Sequence, residues 1–522
     1  MECPKCNSQM VLRSNKTSGD LFWSCSKYPI CKETARYVDE EAIEALSKGF
    51  KPTEEQTNIF EAVKLHHGNL VVNAVAGSGK TSTMLQALNF LPTNQKSVFL
   101  AFNKSISDEL SRRAPGHVEV RTIHSLGFRF IRERFPGIEI DADKSDRLLK
   151  TRMSESDYKR SGSLTAKVYS LLLNNMVSPE RNFLEDILDY YGIECFDIDE
   201  LYHNLRDLYF DCMDEFRKGK TVSFDEMIFY PAMEKQLCSH YDNIFVDECQ
   251  DLNKAQMQFV LNCAHPTTMI VAVGDRNQSI YGFRGADTNA IDYMKEALNA
   301  KELPLTTCFR CPVSHLKLAQ KYVPQIKPRE GAPEGTIQRI LMSTLLTTVA
   351  KEDLVLCRVN APLLPIAFDL IVRGKPAYVK GRDIGGSIVT LLDKHKTKRP
   401  DIAIERIVDD ANNKAQKLLS KGKESAASLA LDVANCAVFF LSHAQTVEDA
   451  VSEVYNIFAD YGPGIVLSSI HKAKGLEASR VVIIGLNAMP FKAQMDWERQ
   501  QEQNLAYVAL TRSKDTLLHV DI

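Results

Sequence analysis

The sequence predicts an α/β protein built on parallel sheets, interrupted by helical insertions and preceded by a small cysteine-bound module. Three observations predict it. The first is the stretch VVNAVAGSGKT at 71–81, where an apolar run gives way to small residues and then to Gly-Lys-Thr. That order matches a buried strand, a phosphate-cradling loop and the start of a helix. The second is NIFVDECQD at 243–251, another apolar run that ends in paired carboxylates. The third is the alternation of short apolar runs with segments of helical period, as in parallel strands whose binding residues gather at their C-terminal ends.

Size and composition narrow the class. A chain of 522 residues has room for roughly three or four domains. A net charge of −3 gives no general attraction to a polyanion or a membrane, so nucleic-acid binding would have to come from a local patch. The chain starts MECPKC without an apolar segment behind it, and no run of 18 apolar residues occurs. A soluble, intracellular, cytoplasmic protein with no membrane partner is expected, nucleoid-associated if its source is a bacterium or a phage. The thirteen cysteines, mostly single and in apolar surroundings, fit reduced thiols.

Only the first four cysteines are grouped. Cys3 and Cys6 form one knuckle and Cys25 and Cys31 a second, a pattern that can hold a tetrahedral Zn²⁺ and so stabilise residues 1–38, too few to build a core. The phrase FWSCSKYPIC at 22–31 resembles the zinc ribbons at the C-terminal end of bacterial type IA topoisomerases. Phe22, Trp23 and Tyr28 among Lys5, Arg13, Lys16, Lys27 and Lys32 suit stacking on single-stranded bases; a structural or protein-docking knob is the other reading.

Residues 38–49 read as a linking helix. Thr53 then stands as the N-cap of a helix carrying Ile59, Phe60 and Val63. Gln56 is either an ordinary residue of that helix or, standing shortly before a phosphate loop, an amide that reads adenine. In the loop, the backbone at Ala76, Gly77, Ser78 and Gly79 would cradle phosphates, Lys80 would reach the β and γ phosphates of ATP, and Thr81 would hold Mg²⁺. Ala74 occupies the position where the general pattern has Gly.

Residues 97–102 read as a second buried strand, and 120–125 as a short strand followed by polar residues. From 131 to 220 the pattern is helical and aromatic-rich, an insertion. The sheet resumes at 243–246, after which Asp247 offers a carboxylate for Mg²⁺ and Glu248 one to position and deprotonate water. The next strand, 269–273, leads into GDRNQSIYGFRGA. Cys308 and Cys311 form another CxxC, without a second pair at metal spacing, and read as structural.

DECQD followed by VGDRNQSIYGFRGA resembles motifs II and III of the superfamily 1A DNA helicases, the UvrD/Rep/PcrA group. The resemblance extends over roughly 51–522 in family order: Gln56 in the Q motif, AVAGSGKT as motif I, AFNKS as Ia, TIHS as Ib, LTTCFR as IV, VLSSIHKAKGLE as V, and the run ending LAYVALTR as VI. Family members commonly begin motif I with Ala, as here at Ala74.

The resemblance implies two RecA-like domains that sandwich ATP and ratchet along a single strand. Domain 1A would comprise 51–130 and 221–300, the helical insertion 1B 131–220, domain 2A 301–385 and 456–522, and a reduced 2B-like insertion 386–455. It implies that Gln278 contacts the γ-phosphate, that Arg310 and Arg512 act as arginine fingers, that Phe309 stacks on adenine and that Glu477 holds the ribose. On the DNA side it points to Tyr281 and Phe283 stacking on bases, with core packing the other reading for Tyr281, and to contacts from Arg284 and His124. Two departures stand out. Residues 386–455 are much shorter than the usual 2B domain, with a lysine-rich stretch at 394–428 that reads as a solvated bundle or a duplex contact, and the N-terminal ribbon is absent from the best-known members.

The expected function is therefore an ATP-dependent DNA helicase and single-strand translocase, 3′ to 5′ by family analogy, serving replication, repair or recombination. It would act on single-stranded DNA and single/double-strand junctions, with a protein partner conceivable through the ribbon or the 2B-like segment. The alternative is a DNA-activated ATPase switch or recruitment subunit, for example beside a nuclease. A small-metabolite kinase leaves motifs III to VI without a role, and no second acidic cluster suggests a nuclease in cis.

Overall fold

The computed structural model describes the chain apart from residues 1–2, 4, 15–20, 33, 37–50, 192, 194, 196, 281–288, 398, 421–423, 460–461, 463, 493–495 and 522. The linking helix expected at 38–49 and the motif III residues Tyr281, Phe283 and Arg284 lie outside the described residues.

Two parallel sheets organise the fold. In the first, the strands run in the order Lys301–Leu305, Leu70–Ala74, Ala264–Gly274, Tyr241–Val246, Ser97–Ala101 and Val118–Thr122, and every neighbour is parallel. Its central strands are apolar along their length because helices cover both faces. Val72, Phe99, Phe245 and Val271 join one buried cluster, and Val71, Val98, Ile244 and Ile270 join another on the opposite face. This alternation of side chains is what a strand between two helical layers requires.

One boundary differs from expectation. Lys301–Leu305 pairs with Leu70–Ala74, so the first sheet reaches Leu305, past the limit expected at 300. Leu303 and Leu305 are buried in that sheet's core, and Thr306 then donates through its N–H and hydroxyl to Glu55 of the helix Glu54–Lys64. The alternating Leu-Pro-Leu of this strand is too short to show from sequence which sheet receives it.

The insertion is helical, as its pattern indicates. Thr122 caps the helix Ile123–Arg134, which leads out of the first sheet into a bundle containing Ser163–Asn175, Arg181–Tyr191 and Ile198–Arg217. Inside it lies an ion pair, Lys144 to Glu226 at 2.9 Å, fully buried and closed by hydrogen bonds from Lys144 Nζ to the carbonyls of Cys212 and Thr221. A buried pair is tolerated when the remaining donors are satisfied in this way.

The second sheet runs in the order Thr336–Arg339, Ser513–Val520, Ala478–Ile484, Leu354–Cys357, Ile465–Ser469, Ala377–Lys380 and Phe458–Ala459, again all parallel. The described residues of the segment 386–455 are mainly helical. Its helices Pro400–Ser420 and Glu424–His443 place Ala403, Ile407, Cys436, Phe440 and Leu441 in the same cluster as Val355 and Leu467 of this sheet. Asp432 ties the layer down: its carboxylate accepts from the N–H groups of Asn360 and Ala361 at 2.7 to 2.9 Å, just ahead of the helix Leu363–Val372. Among the described residues no single helix is long and apolar enough to cross a membrane.

At the N-terminus, Met10–Ser14, Leu21–Cys25 and Thr34–Arg36 form a small antiparallel sheet.

Candidate nucleotide site and zinc centre

The phosphate loop forms where the strand Leu70–Ala74 meets the helix Lys80–Leu88. Gly77 and Gly79 both adopt left-handed backbone, at φ 66° and 74°. A Cβ on Gly77 would also lie 2.7 Å from Cβ of Arg310 and 2.9 Å from Sγ of Cys308. Only glycine therefore lets the segment after the first sheet close onto the loop. That closure is held by the Phe309 N–H, which donates to the Gly77 carbonyl at 2.8 Å.

Lys80 Nζ lies 3.0 Å from Glu248 Oε1. Burial opposes the lysine's charge, but Glu248, Asp275 and Asp247 outweigh it and hold the ammonium above its ordinary value. Burial likewise opposes the charge of Glu248, yet Lys80 and Lys474 pull its carboxyl down to about 2. Asp247, buried beside that charge, is pushed up to about 7, against a hydrogen bond from the Thr81 hydroxyl. Glu248 itself sits in left-handed backbone at φ 53°, a strained conformation for a non-glycine residue. The strain directs the chain out of the strand Tyr241–Val246 so that consecutive carboxylates share one end of the sheet.

The opposite wall comes from the second sheet's elements. Arg512, following the helix Asp496–Leu510, is buried, donating to the carbonyls of Val508 and Leu476 and, at 3.3 Å, to Gln278 Oε1. Burial, with Arg310 nearby, holds it down at about 10. Arg310 pairs with Glu477 at 2.6 Å and donates to the Thr511 carbonyl; Glu477 also pairs with Lys514. Phe309 is 42% exposed. The structure thus brings together Ala76 to Thr81, Asp247, Glu248, Gln278, Phe309, Arg310, Glu477 and Arg512.

Gln56 is engaged on both sides. Its Oε1 accepts from the Thr53 N–H in a capping box, and its Nε2 donates to Thr83 Oγ1 at 2.9 Å. His124 is the second residue of the helix Ile123–Arg134, half-buried, and burial lowers its imidazole below the ordinary value.

Residues not singled out from the sequence complete the cleft. Lys474 of the IHKAKGLE run pairs with Asp251 and donates to the Gln278 carbonyl. Tyr507 accepts from the Ala76 N–H at 2.7 Å and approaches Asp275 at 3.4 Å, while Asp275 accepts from Gln278 Nε2 at 2.6 Å. Asn504 donates to the Ser279 carbonyl. The available signal was Asn504 directly ahead of the apolar run 505–510 and the hydroxyl of Tyr507 within it.

The donor set fits a nucleotide triphosphate. Ser78, within the loop, is buried and its hydroxyl has no partner among the described residues, and the cations Lys80, Lys474, Arg310 and Arg512 are held at Glu248, Asp251, Glu477 and Gln278. Thr81 and Asp247 are hard oxygen donors of the kind Mg²⁺ takes.

The zinc centre is equally compact. Among the described residues Cys3, Cys6, Cys25 and Cys31 alone make a metal-binding group, with all four sulfurs within 4.8 Å of one another. The sulfur pairs Cys3–Cys31 and Cys6–Cys25 stand at 3.7 and 3.4 Å. Tetrahedral Zn–S bonds of about 2.3 Å call for sulfurs about 3.8 Å apart, so the residues fit. Cys25→Ser is expected to lower the zinc content of the purified chain well below about one ion per chain, read by elemental analysis.

These features define a class: a P-loop nucleotide-binding protein whose site is divided between two parallel-sheet domains. Residues 54–299 match the UvrD/REP helicase N-terminal domain and residues 389–520 the UvrD-like helicase C-terminal domain. The chain belongs to the UvrD/REP helicase family. Residues 1–39 match the topoisomerase DNA binding C4 zinc finger. Among similar proteins, the ATP-dependent DNA helicase PcrA of Bacillus subtilis is 27% identical over 53% of this chain and 40% of its own length. The ATP-dependent DNA helicase UvrD1 of Mycobacterium tuberculosis is 26% identical over 53% of this chain and 39% of its own. The F-box DNA helicase protein 1 of Schizosaccharomyces pombe is 25% identical over 89% of this chain and 57% of its own. The matched region therefore spans 39% to 57% of the length of these relatives, less than two thirds of each.

Proposed function

We propose that the protein is an ATP-dependent DNA helicase and single-strand translocase, moving 3′ to 5′, with a role in replication, repair or recombination. The observation that carries this reading is the divided site: Lys80 and Glu248 on one wall face Lys474, Arg310 and Arg512 on the other, and Arg512 already reaches Gln278 across it. A cleft whose charges come from both domains hydrolyses only when closed, which is how hydrolysis becomes domain motion.

In this reading the loop amides, Lys80 and Thr81 hold the phosphates, and Thr81 with Asp247 holds Mg²⁺, which would neutralise charge on the β and γ oxygens. Glu248, kept ionised by Lys80 and Lys474, accepts the proton of the attacking water. Gln278 reports the γ-phosphate, Arg310 and Arg512 balance charge in the transition state, Phe309 and Gln56 border the adenine, and Glu477 the ribose. His124, Tyr281, Phe283 and Arg284 contact single-stranded DNA, and the zinc ribbon anchors the chain on DNA or on a protein partner.

A second reading, a DNA-activated ATPase switch with little unwinding, draws support from the 386–455 helices. They are packed into the second domain's own core rather than left for a duplex. Strand displacement on 3′- and 5′-tailed duplexes separates the two. Unwinding of the 3′-tailed substrate at saturating ATP is expected; DNA-stimulated hydrolysis without displacement of either substrate would favour the switch.

A further inference from the structure

Cys308 and Cys311 bracket the Phe309-Arg310 pair that closes on the phosphate loop. Cys308 ends the short strand Thr307–Cys308, and Cys311 precedes the helix Val313–Ala319. The Cys311 N–H donates to Cys308 Sγ at 3.4 Å. The Cys311 thiol donates to the Thr511 carbonyl at 3.6 Å, and the neighbouring Cys308 sulfur is the other acceptor to which its single proton can turn. On the other side Cys308 presses on Gly77 of the loop. Both cysteines belong to an apolar cluster with Val75, Ala76 and Tyr507, which means they lie where the two domains meet.

We propose that Cys308 and Cys311 are a thiol modification site: a hydroperoxide converts them to an intramolecular disulfide that misplaces Arg310 and reversibly switches off the nucleotide site. The chemistry is set by the neighbours. The hydrogen bond from the Cys311 thiol, followed by the N–H groups of Cys311 and Arg310 and the guanidinium charge, brings the Cys308 thiol down to about 7 despite its burial, so a thiolate is available at neutral pH. That thiolate attacks one peroxide oxygen, the O–O bond breaks, and hydroxide leaves to take up a proton as water, giving a sulfenic acid on Cys308. The Cys311 sulfur, losing its proton, then displaces the sulfenic oxygen as a second water. With hydrogen peroxide the balance is two thiols and one peroxide in, one disulfide and two waters out, an alcohol replacing the first water when the hydroperoxide is organic; a dithiol reverses it by exchange.

The consequence is geometric. A disulfide draws the sulfurs to about 2.05 Å, which pulls Cys308 off Gly77, takes Cys311 from Thr511, and turns the intervening Arg310 away from Glu477. Both cysteines are at most 3% exposed, so the oxidant reaches them when the cleft opens, and a ligand that keeps it shut protects them.

The inference rests on the ATPase reading, and its test keeps the two apart. The full chain is treated with hydrogen peroxide, with and without a non-hydrolysable ATP analogue, then alkylated and mapped by mass spectrometry, with ATPase read before and after dithiothreitol. A peptide carrying a Cys308–Cys311 disulfide, formed more slowly with the analogue, is expected. ATPase should fall at least about tenfold, as an ångström-scale misplacement allows, and recover on reduction. Cys311→Ser, which keeps the zinc cysteines, should start near the parent activity and resist the same treatment. The proposal is overturned by free thiols at both positions after treatment, by a disulfide that leaves ATPase unchanged, by equal oxidation rates with and without the analogue, or by equal loss of activity in Cys311→Ser. Absence of ATPase before any treatment would instead overturn the functional reading, while the mapping would still report on the disulfide.

Discussion

Lys80→Ala should reduce ATP hydrolysis by at least about 10³-fold while leaving single-stranded DNA binding largely intact. The ammonium is the cation closest to the paired carboxylates, 3.0 Å from Glu248 Oε1, and three acidic groups keep it charged in a buried site. Removing one fixed donor from a water-poor site typically costs about 10² to 10³ in rate. Here the same substitution also removes the larger of the two lysine charges that hold the Glu248 carboxyl down near 2, so the charge that keeps the proton acceptor ionised is lost together with the phosphate contact. The measurement is steady-state ATPase with saturating DNA, beside fluorescence anisotropy on a labelled oligonucleotide. Hydrolysis within tenfold of the parent would mean that the nucleotide is handled elsewhere.

Arg512→Lys should lower kcat by about 10³-fold or more with a smaller change in KM. A lysine retains the charge but not the planar fork, and it is the fork that reaches Val508, Leu476 and Gln278 at once. Arginine fingers contribute about 10³ to 10⁵ in rate because they act on charge that develops in the transition state, which is why the loss belongs in kcat. Arg310 is held nearby on Glu477 and cannot replace it without breaking that 2.6 Å pair. Thermal unfolding of the variant, run beside the kinetics, distinguishes a lost finger from a loosened helix end. A kcat within tenfold of the parent with unchanged stability would remove Arg512 from the catalytic set.

Much of the site was legible in the chain because its parts are local. A strand that ends in Gly-Ser-Gly-Lys-Thr, or in Asp-Glu, encodes its own geometry: the apolar run is buried by both helical layers, and the polar residues that follow must emerge at the sheet's end. Thr53 as a cap and the four cysteines as one cluster are readable for the same reason, since a capping box spans a single turn and zinc knuckles have short, stereotyped spacings. The contacts across the cleft were not readable in this way. Lys474 meets Asp251 across 223 residues of chain, and Tyr507 meets Ala76 across 431, and nothing in the period of either segment names its partner.

By itself, then, the sequence determined the parallel-sheet class, the loop, the carboxylate pair, the zinc cluster and the motif order that indicates the family, because each depends on interactions within a few residues or on short spacings. Only the tertiary structure decided that Lys301–Leu305 completes the first sheet, that the 386–455 helices share the second sheet's core, and that Arg310 rests on Glu477 while Arg512 reaches Gln278. Those outcomes depend on which buried surfaces and charges find each other once the chain has collapsed. The loop VVNAVAGSGKT specified a phosphate site, whereas the second wall that faces it exists only in the folded protein.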